Sequence, residues 1–195
     1  MIYVLTNGGG SVVTYPYSYQ QMKSDNPQVS FPATITDEVA APFNTFPVVE
    51  HPQPNVNPLI TTIDVLNPLL MDGIWEQQWG QHDYDAATAA AYEADYRVSL
   101  GHQIDSWQIA QEAAGVTVGG TVWPTDSLSR QRMSTILING SMPTPSAYPL
   151  TFDELQTIWF TITDNDSAAA IRADEMLAEI QTLTGDALYY YVIGY

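Results

Sequence analysis

The amino-acid usage of this chain changes at Asp85, and that break constrains the fold more than any single motif. Residues 1–84 hold most of the prolines, a single lysine (Lys23) and many β-branched and aromatic side chains. From Ala86 the chain turns alanine-rich, and alanine has the best helix propensity of any residue. No Gly/Ser or Pro-rich run separates the two stretches, so the boundary falls at the edge of a helix and not in a flexible linker. The expectation is an α+β chain. A small β-rich module over 1–84, suited to attachment or interaction, precedes a long helix and a helix-rich unit with a small antiparallel sheet over 85–195. No repeat of solenoid or propeller period occurs.

Local signals fill in the first module. Ile2–Leu5 reads as a strand, Asn7-Gly8-Gly9-Gly10 as a turn tolerant of positive φ, and Ser11–Tyr15 as the returning strand. Ser18-x-x-Gln21 has the form of a capping box, so Tyr19–Lys23 is predicted as a short helix ended by Asp25-Asn26-Pro27. Thr36 is a candidate N-cap with Asp37 and Glu38 in the first turn, and Pro42 limits that helix to about one turn. The strongest hairpin signal is Asp72-Gly73, between Thr61–Met71 and Ile74–Trp79. Alternation puts Trp75, Gln77 and Trp79 on one face. The two tryptophans either cover the core of the sheet, or one is exposed and anchors a partner.

The second unit opens with a helix capped by Asp85 and stopped by Gly115. Tyr92, Tyr96, Leu100, Ile104 and Trp107 form its apolar stripe, and Glu93 precedes Arg97 in the favourable order for a helix ion pair. Val116–Val118 and Thr121–Trp123 flank a Gly-Gly turn and read as a second hairpin. Thr125 is predicted to cap a helix running to about Ile138, and Thr151 with Glu154 forms a full capping box stapled by Leu150 and Leu155. Trp159–Thr163 alternates like a strand, Asp164-Asn165-Asp166 like a turn, and a last helix is predicted over 173–183.

The chemistry is sparse. The chain carries 22 acidic residues against five basic ones, a net charge of −17, so it repels phosphate backbones and anionic lipids. Neither nucleic acid nor a membrane is an expected partner, and no apolar run approaches a membrane span. The first residues carry no basic segment of a signal peptide. An apolar content of 45% is enough for a core and argues against a disordered acidic tail. With no cysteine, disulfides, thiol catalysis and thiolate-bound zinc are excluded. His51, His82 and His102 lack metal-site spacing, and Asp164-Asn165-Asp166 lacks the glycine and distal Glu of a calcium loop. No serine elbow or phosphate loop is present, and Arg130 with Arg132 reads as ordinary helix surface. The expectation is no catalytic residue, no cofactor and no metal.

The C-terminal segment stands apart. Tyr189-Tyr190-Tyr191-Val192-Ile193-Gly194-Tyr195 is apolar and β-prone, with no charged side chain after Asp186. Left exposed, it would be an aggregation hazard. As an extended segment its tyrosines point to both faces, which predicts burial in the chain's own domain as an added strand, packing against another subunit, or both. Candidate partner-binding residues are therefore Trp75, Trp79, Tyr189, Tyr190, Tyr191, Val192, Ile193 and Tyr195.

Short blocks in order complete the reading. Tyr15-Pro16-Tyr17-Ser18, Asp25-Asn26-Pro27, Ser30-Phe31-Pro32, Thr36-Asp37-Glu38, Phe46-Pro47-Val48 and Asp72-Gly73-Ile74-Trp75 through Trp79 resemble a small N-terminal module of tailed-bacteriophage tail proteins. Val116–Trp123, Asp126-Ser127-Leu128-Ser129-Arg130 and Trp159 through Asp164-Asn165 resemble a domain of unknown function found beside phage tail-fibre genes. The resemblance implies a non-enzymatic structural protein of the virion tail, as fibre, baseplate or adaptor component. Such a protein would be made in the host cytoplasm and would work in a homo- or hetero-oligomer with other phage tail proteins. A tail-fibre assembly chaperone is the alternative, and a receptor- or carbohydrate-binding tip comes third. No catalytic residue carries over.

Overall fold

The computed structural model describes residues 2–142 and 150–194, and the chain is α+β. It divides into two compact units, residues 1–85 and 86–195. In the first, β1 (Tyr3–Thr6), β2 (Val12–Tyr17), β3 (Thr45–Val49), β4 (Thr61–Met71) and β5 (Ile74–Asp83) form one sheet in the order β2-β1-β3-β5-β4. All neighbours are antiparallel except β3 and β5. The outer strands β2 and β4 approach each other, so the sheet is nearly closed.

Each face of this sheet carries an apolar cluster. Tyr3 and Tyr17 pack with Met22 of α1 (Tyr19–Asp25) and Ala40 of α2 (Asp37–Ala40) on one side. Val4, Val48 and Trp75 form a separate cluster on the other, with Val12, Tyr15 and Phe46 against it. Successive side chains of a strand alternate faces, which is why Tyr3 and Val4 serve different clusters. The Ser18–Gln21 capping box opens α1 and Asn26 closes it. Thr36 takes the extended N-cap conformation of α2, but its hydroxyl does not cap the helix, and a 3-10 turn over Ala41–Phe43 continues it.

The second unit holds α3 (Ala86–Ala113), the hairpin β6 (Val116–Val118) and β7 (Thr121–Trp123), α4 (Ser127–Asn139), α5 (Phe152–Thr182) and α6 (Gly185–Tyr189). Several expectations are corrected. Asp126, not Thr125, caps α4, accepting from the Leu128 and Ser129 amides at 3.0 Å each. Thr125 instead accepts from the Gly115 amide and donates to the Glu112 carbonyl. The largest correction is α5. Trp159–Thr163 is no strand and Asp164-Asn165-Asp166 no turn, because one helix of 31 residues runs through both and through the expected last helix.

Its buried residues explain why. Leu155, Ile158, Ile162, Ala169, Ala173, Met176 and Ile180 recur at spacings of three, four and seven, one continuous helical stripe. The Thr151–Glu154 capping box starts it. Hydroxyls of Thr157, Thr161, Thr163 and Ser167 bond back to carbonyls three or four residues earlier, which occupies groups that would compete with the helix. The stripe skips the turn holding Asn165 and Asp166, and both are used there. Asn165 donates to the Gln111 carbonyl at 3.4 Å, and Asp166 pairs with Arg130.

Arg130 is accordingly not ordinary surface. Its guanidinium reaches both Asp166 oxygens and the carbonyls of Glu112 and Thr125, tying together the end of α3, the start of α4 and the middle of α5. The Asp166 carboxylate raises the Arg130 pKa. The pair Glu93–Arg97 also joins elements. Arg97 donates to the carbonyls of Ile180 at 3.0 Å and Leu183 at 2.7 Å, where a helix end leaves acceptors unpaired, and Glu93 accepts from the Gly185 amide at 2.6 Å.

The tail is corrected as well. Residues 185–189 are helical and 190–194 are irregular, so no strand is added within the chain, where Tyr190 and Val192 stay exposed. Tyr189 ends the helix, Tyr190 is its C-cap and Tyr191 lies beyond it, so the three tyrosines have three different environments.

Candidate functional site

The concentrated feature of the first unit is the β4–β5 hairpin. Asp72 and Gly73 take φ values of 49° and 84°, the left-handed pair that a tight two-residue hairpin requires. Around this turn Val65, Leu66, Leu69, Leu70, Met71 and Ile74 are all 44–56% exposed. Leucine, isoleucine and methionine normally lie inside. The register explains their exposure. Leu66 pairs with Gln78 and Leu69 with Glu76, so Asn67 and Pro68 of β4 together face only Gln77. Such a bulge re-aims the side chains beyond it, and proline is tolerated there because it has no amide to donate.

A hollow of about 310 Å³ opens at this end of the sheet. Phe46, Leu70 and Trp75 line its apolar side, and Gly8, Gly10, Gly73 and Asn44 its loop side. Asn44 sits in the left-handed region at φ 52°, with its carbonyl accepting from the Thr6 amide at 2.9 Å. Its carboxamide makes no hydrogen bond among the described residues. The charge along the whole hairpin is one-sided. Asp64, Asp72, Glu76 and Asp83 lie on the hairpin, and no Lys or Arg occurs between Lys23 and Arg97. Lys23 itself stands over the Tyr19 ring, 4.3 Å from its centre. His51 lies 3.4 Å from Glu76, and His82 lies 3.8 Å from Asp64.

The residues singled out from sequence fall in different settings. Trp75 is buried, and covers the core of the sheet while walling the hollow. Trp79 is half-buried, with its Nε1 donating to the His51 carbonyl at 3.2 Å. In the second unit, Tyr189 accepts at its carbonyl from the Tyr96 hydroxyl. Tyr191 donates to Glu179 at 2.6 Å, and burial, with that bond second, pushes its pKa up to about 12. Tyr190 and Val192 are 59% and 58% exposed, and Ile193 is half-buried. Tyr195 lies outside the described residues. The apolar side chains of Leu66, Leu69, Leu70, Met71 and Ile74 were missed from sequence. The available signal was the uncharged run Val65–Met71, which breaks the polar–apolar alternation expected of a strand with one face in water.

Among the described residues no three His, Asp or Glu groups come together as metal ligands, and no helix is long and apolar enough to cross a membrane. A smaller hollow of about 250 Å³ lies beside β6–β7 and the start of α5, and Trp123, whose buried Nε1 has no hydrogen-bond partner among the described residues, lines it. Comparison with known protein families, with curated proteins and with solved structures found no match.

Proposed function

We propose that this chain is a non-enzymatic structural component of a bacteriophage tail, as fibre, baseplate or adaptor protein, that works by packing against other virion proteins. The observation that carries the packing role is the apolar β4–β5 hairpin. Fully burying one aliphatic side chain contributes roughly 1.5–3 kcal/mol. Leu66, Leu69, Met71 and Ile74 share one face of the hairpin, and these four half-exposed side chains hold on the order of 3–6 kcal/mol in reserve. Association itself costs about 4–15 kcal/mol. The hairpin is thus the centre of an interface and not a whole one, which suits a part held by several neighbours in an assembly, where linked contacts reinforce one another. The assignment to a phage tail rests on the ordered sequence blocks described above.

The test is a quantitative mass-spectrometric census of tailed particles purified from a lysate in which the chain is expressed. The expected outcome is a fixed copy number per particle. Presence in the lysate with absence from the particles would favour the assembly-chaperone alternative and defeat the virion role.

A further inference from the structure

We infer that the hollow walled by Phe46, Leu70 and Trp75 receives one apolar side chain of a different protein, whose contact surface is rimmed by lysine or arginine. This rests on the reading of the hairpin as a docking surface and names what docks there.

The shape supports a single anchor. A hollow of about 310 Å³ is at the lower end of ligand-site sizes. Its wall is aromatic and aliphatic, and it opens directly onto the exposed Leu70. Side chains added at Gly10 or Gly73 would meet nothing within 4 Å, so the mouth is open at these two turns. The unpaired Asn44 carboxamide at the edge offers both a donor and an acceptor to the backbone on either side of an inserted side chain. Interface hot spots have this form: an apolar anchor in a pocket, ringed by contacts that exclude water.

Charge selects the occupant. Residues 1–85 carry nine acidic groups and one base, Lys23. A second copy docking on the same surface would set Asp72 of the hairpin turn against its equivalent and bring together two chains of net charge −17 each, which opposes association. A partner with a basic rim gains from the same groups. Acidic lipid headgroups are repelled for the reason a second copy is.

The test uses the full chain and two acetylated synthetic peptides with a common Leu-Phe-Leu centre, one flanked by lysines and one by glutamates. Binding is followed by titration calorimetry and by amide and indole shifts in nuclear magnetic resonance spectra. The lysine peptide should bind at least about tenfold tighter at low salt, with the preference collapsing in high salt as screening removes it. Shifts should centre on Gly8, Gly10, Gly73 and the Trp75 indole. Leu70→Ser should abolish them, and Ile74→Ser, whose side chain is on the opposite face of the hairpin from Leu70 and Trp75, should leave them in place. Equal binding of both peptides, shifts centred elsewhere, or no binding of either would overturn the inference. So would self-association of the chain that Leu70→Ser abolishes in sedimentation equilibrium, since the occupant would then be a second copy. None of these outcomes bears on the particle census, so the docking chemistry and the virion role fail separately.

Discussion

The two units use their side chains in opposite ways. In residues 86–195, three of the four arginines are bound to acids of the same unit, and two of them also hold helix-end carbonyls. The exposed large apolar residues of that unit are scattered over α3, β7, α4, α5 and the tail. In residues 1–85 most of those exposed are gathered on one hairpin, on a surface with a single lysine. Scattered apolar residues are normal for any surface, whereas a gathered patch marks a site of contact. The second unit is thus built to hold itself together, and the first leaves part of its apolar surface for something else to cover.

The largest effect that separates them is expected from α6, which is packed into the second unit through Leu188. Leu188 is fully buried in α6, so Leu188→Ala should destabilise the second unit by about 2–5 kcal/mol. Urea unfolding followed by tryptophan fluorescence would measure it. If the loss were under about 0.5 kcal/mol, as for ordinary surface substitutions, α6 would not be integral to the unit.

Next come the cations. Arg130→Met leaves the Asp166 carboxylate and two carbonyls without their donor, and should cost about 2 kcal/mol, a value reduced from that of a fully buried pair because both side chains are a quarter exposed. Lys23→Met removes only a cation above a ring at the surface, worth about 0.5–1 kcal/mol. Equal losses in the same denaturation assay would erase the contrast between the units.

A smaller effect should appear in alkali and should touch both units. Burial and the bond to Asp25 raise the Tyr17 pKa, and burial and Glu179 raise that of Tyr191 to about 12. Each folded pKa lies above the ordinary value of 10, so the stabilisation is complete below pH 10 and is lost as pH rises through the folded values. Tyrosinate absorbance should show these two groups ionising after the exposed tyrosines. Tyr191→Phe should remove one late group without delaying the rest.

Much of the fold is legible in the sequence because local chemistry and tertiary structure agree there. Asp72-Gly73, Gly119-Gly120, Ser18–Gln21 and Thr151–Glu154 all act as their residue types dictate. The alternation of Trp159–Thr163 spans only five residues, whereas the apolar stripe that decides the helix spans Leu155 to Ile180. The Asn165 and Asp166 turn hid the stripe, because its partners Gln111 and Arg130 are distant in sequence. The parallel pairing of β3 with β5 is likewise non-local and left no local mark. Of the candidate site, Trp75 was visible as a residue, but the exposure of Leu66, Leu69, Leu70 and Met71 depends on the Asn67–Pro68 bulge and on the edge position of β4.

The most direct test is incorporation of the Leu70→Ser/Ile74→Ser double variant into tailed particles, in competition with the unaltered chain. Both side chains are exposed, so thermal stability should change by no more than about 0.5 kcal/mol per site. Incorporation should fall at least tenfold, equivalent to about 1.4 kcal/mol of lost contact. A double variant that folds normally and enters particles as well as the unaltered chain would contradict the assignment of the β4–β5 hairpin as the surface through which this protein works.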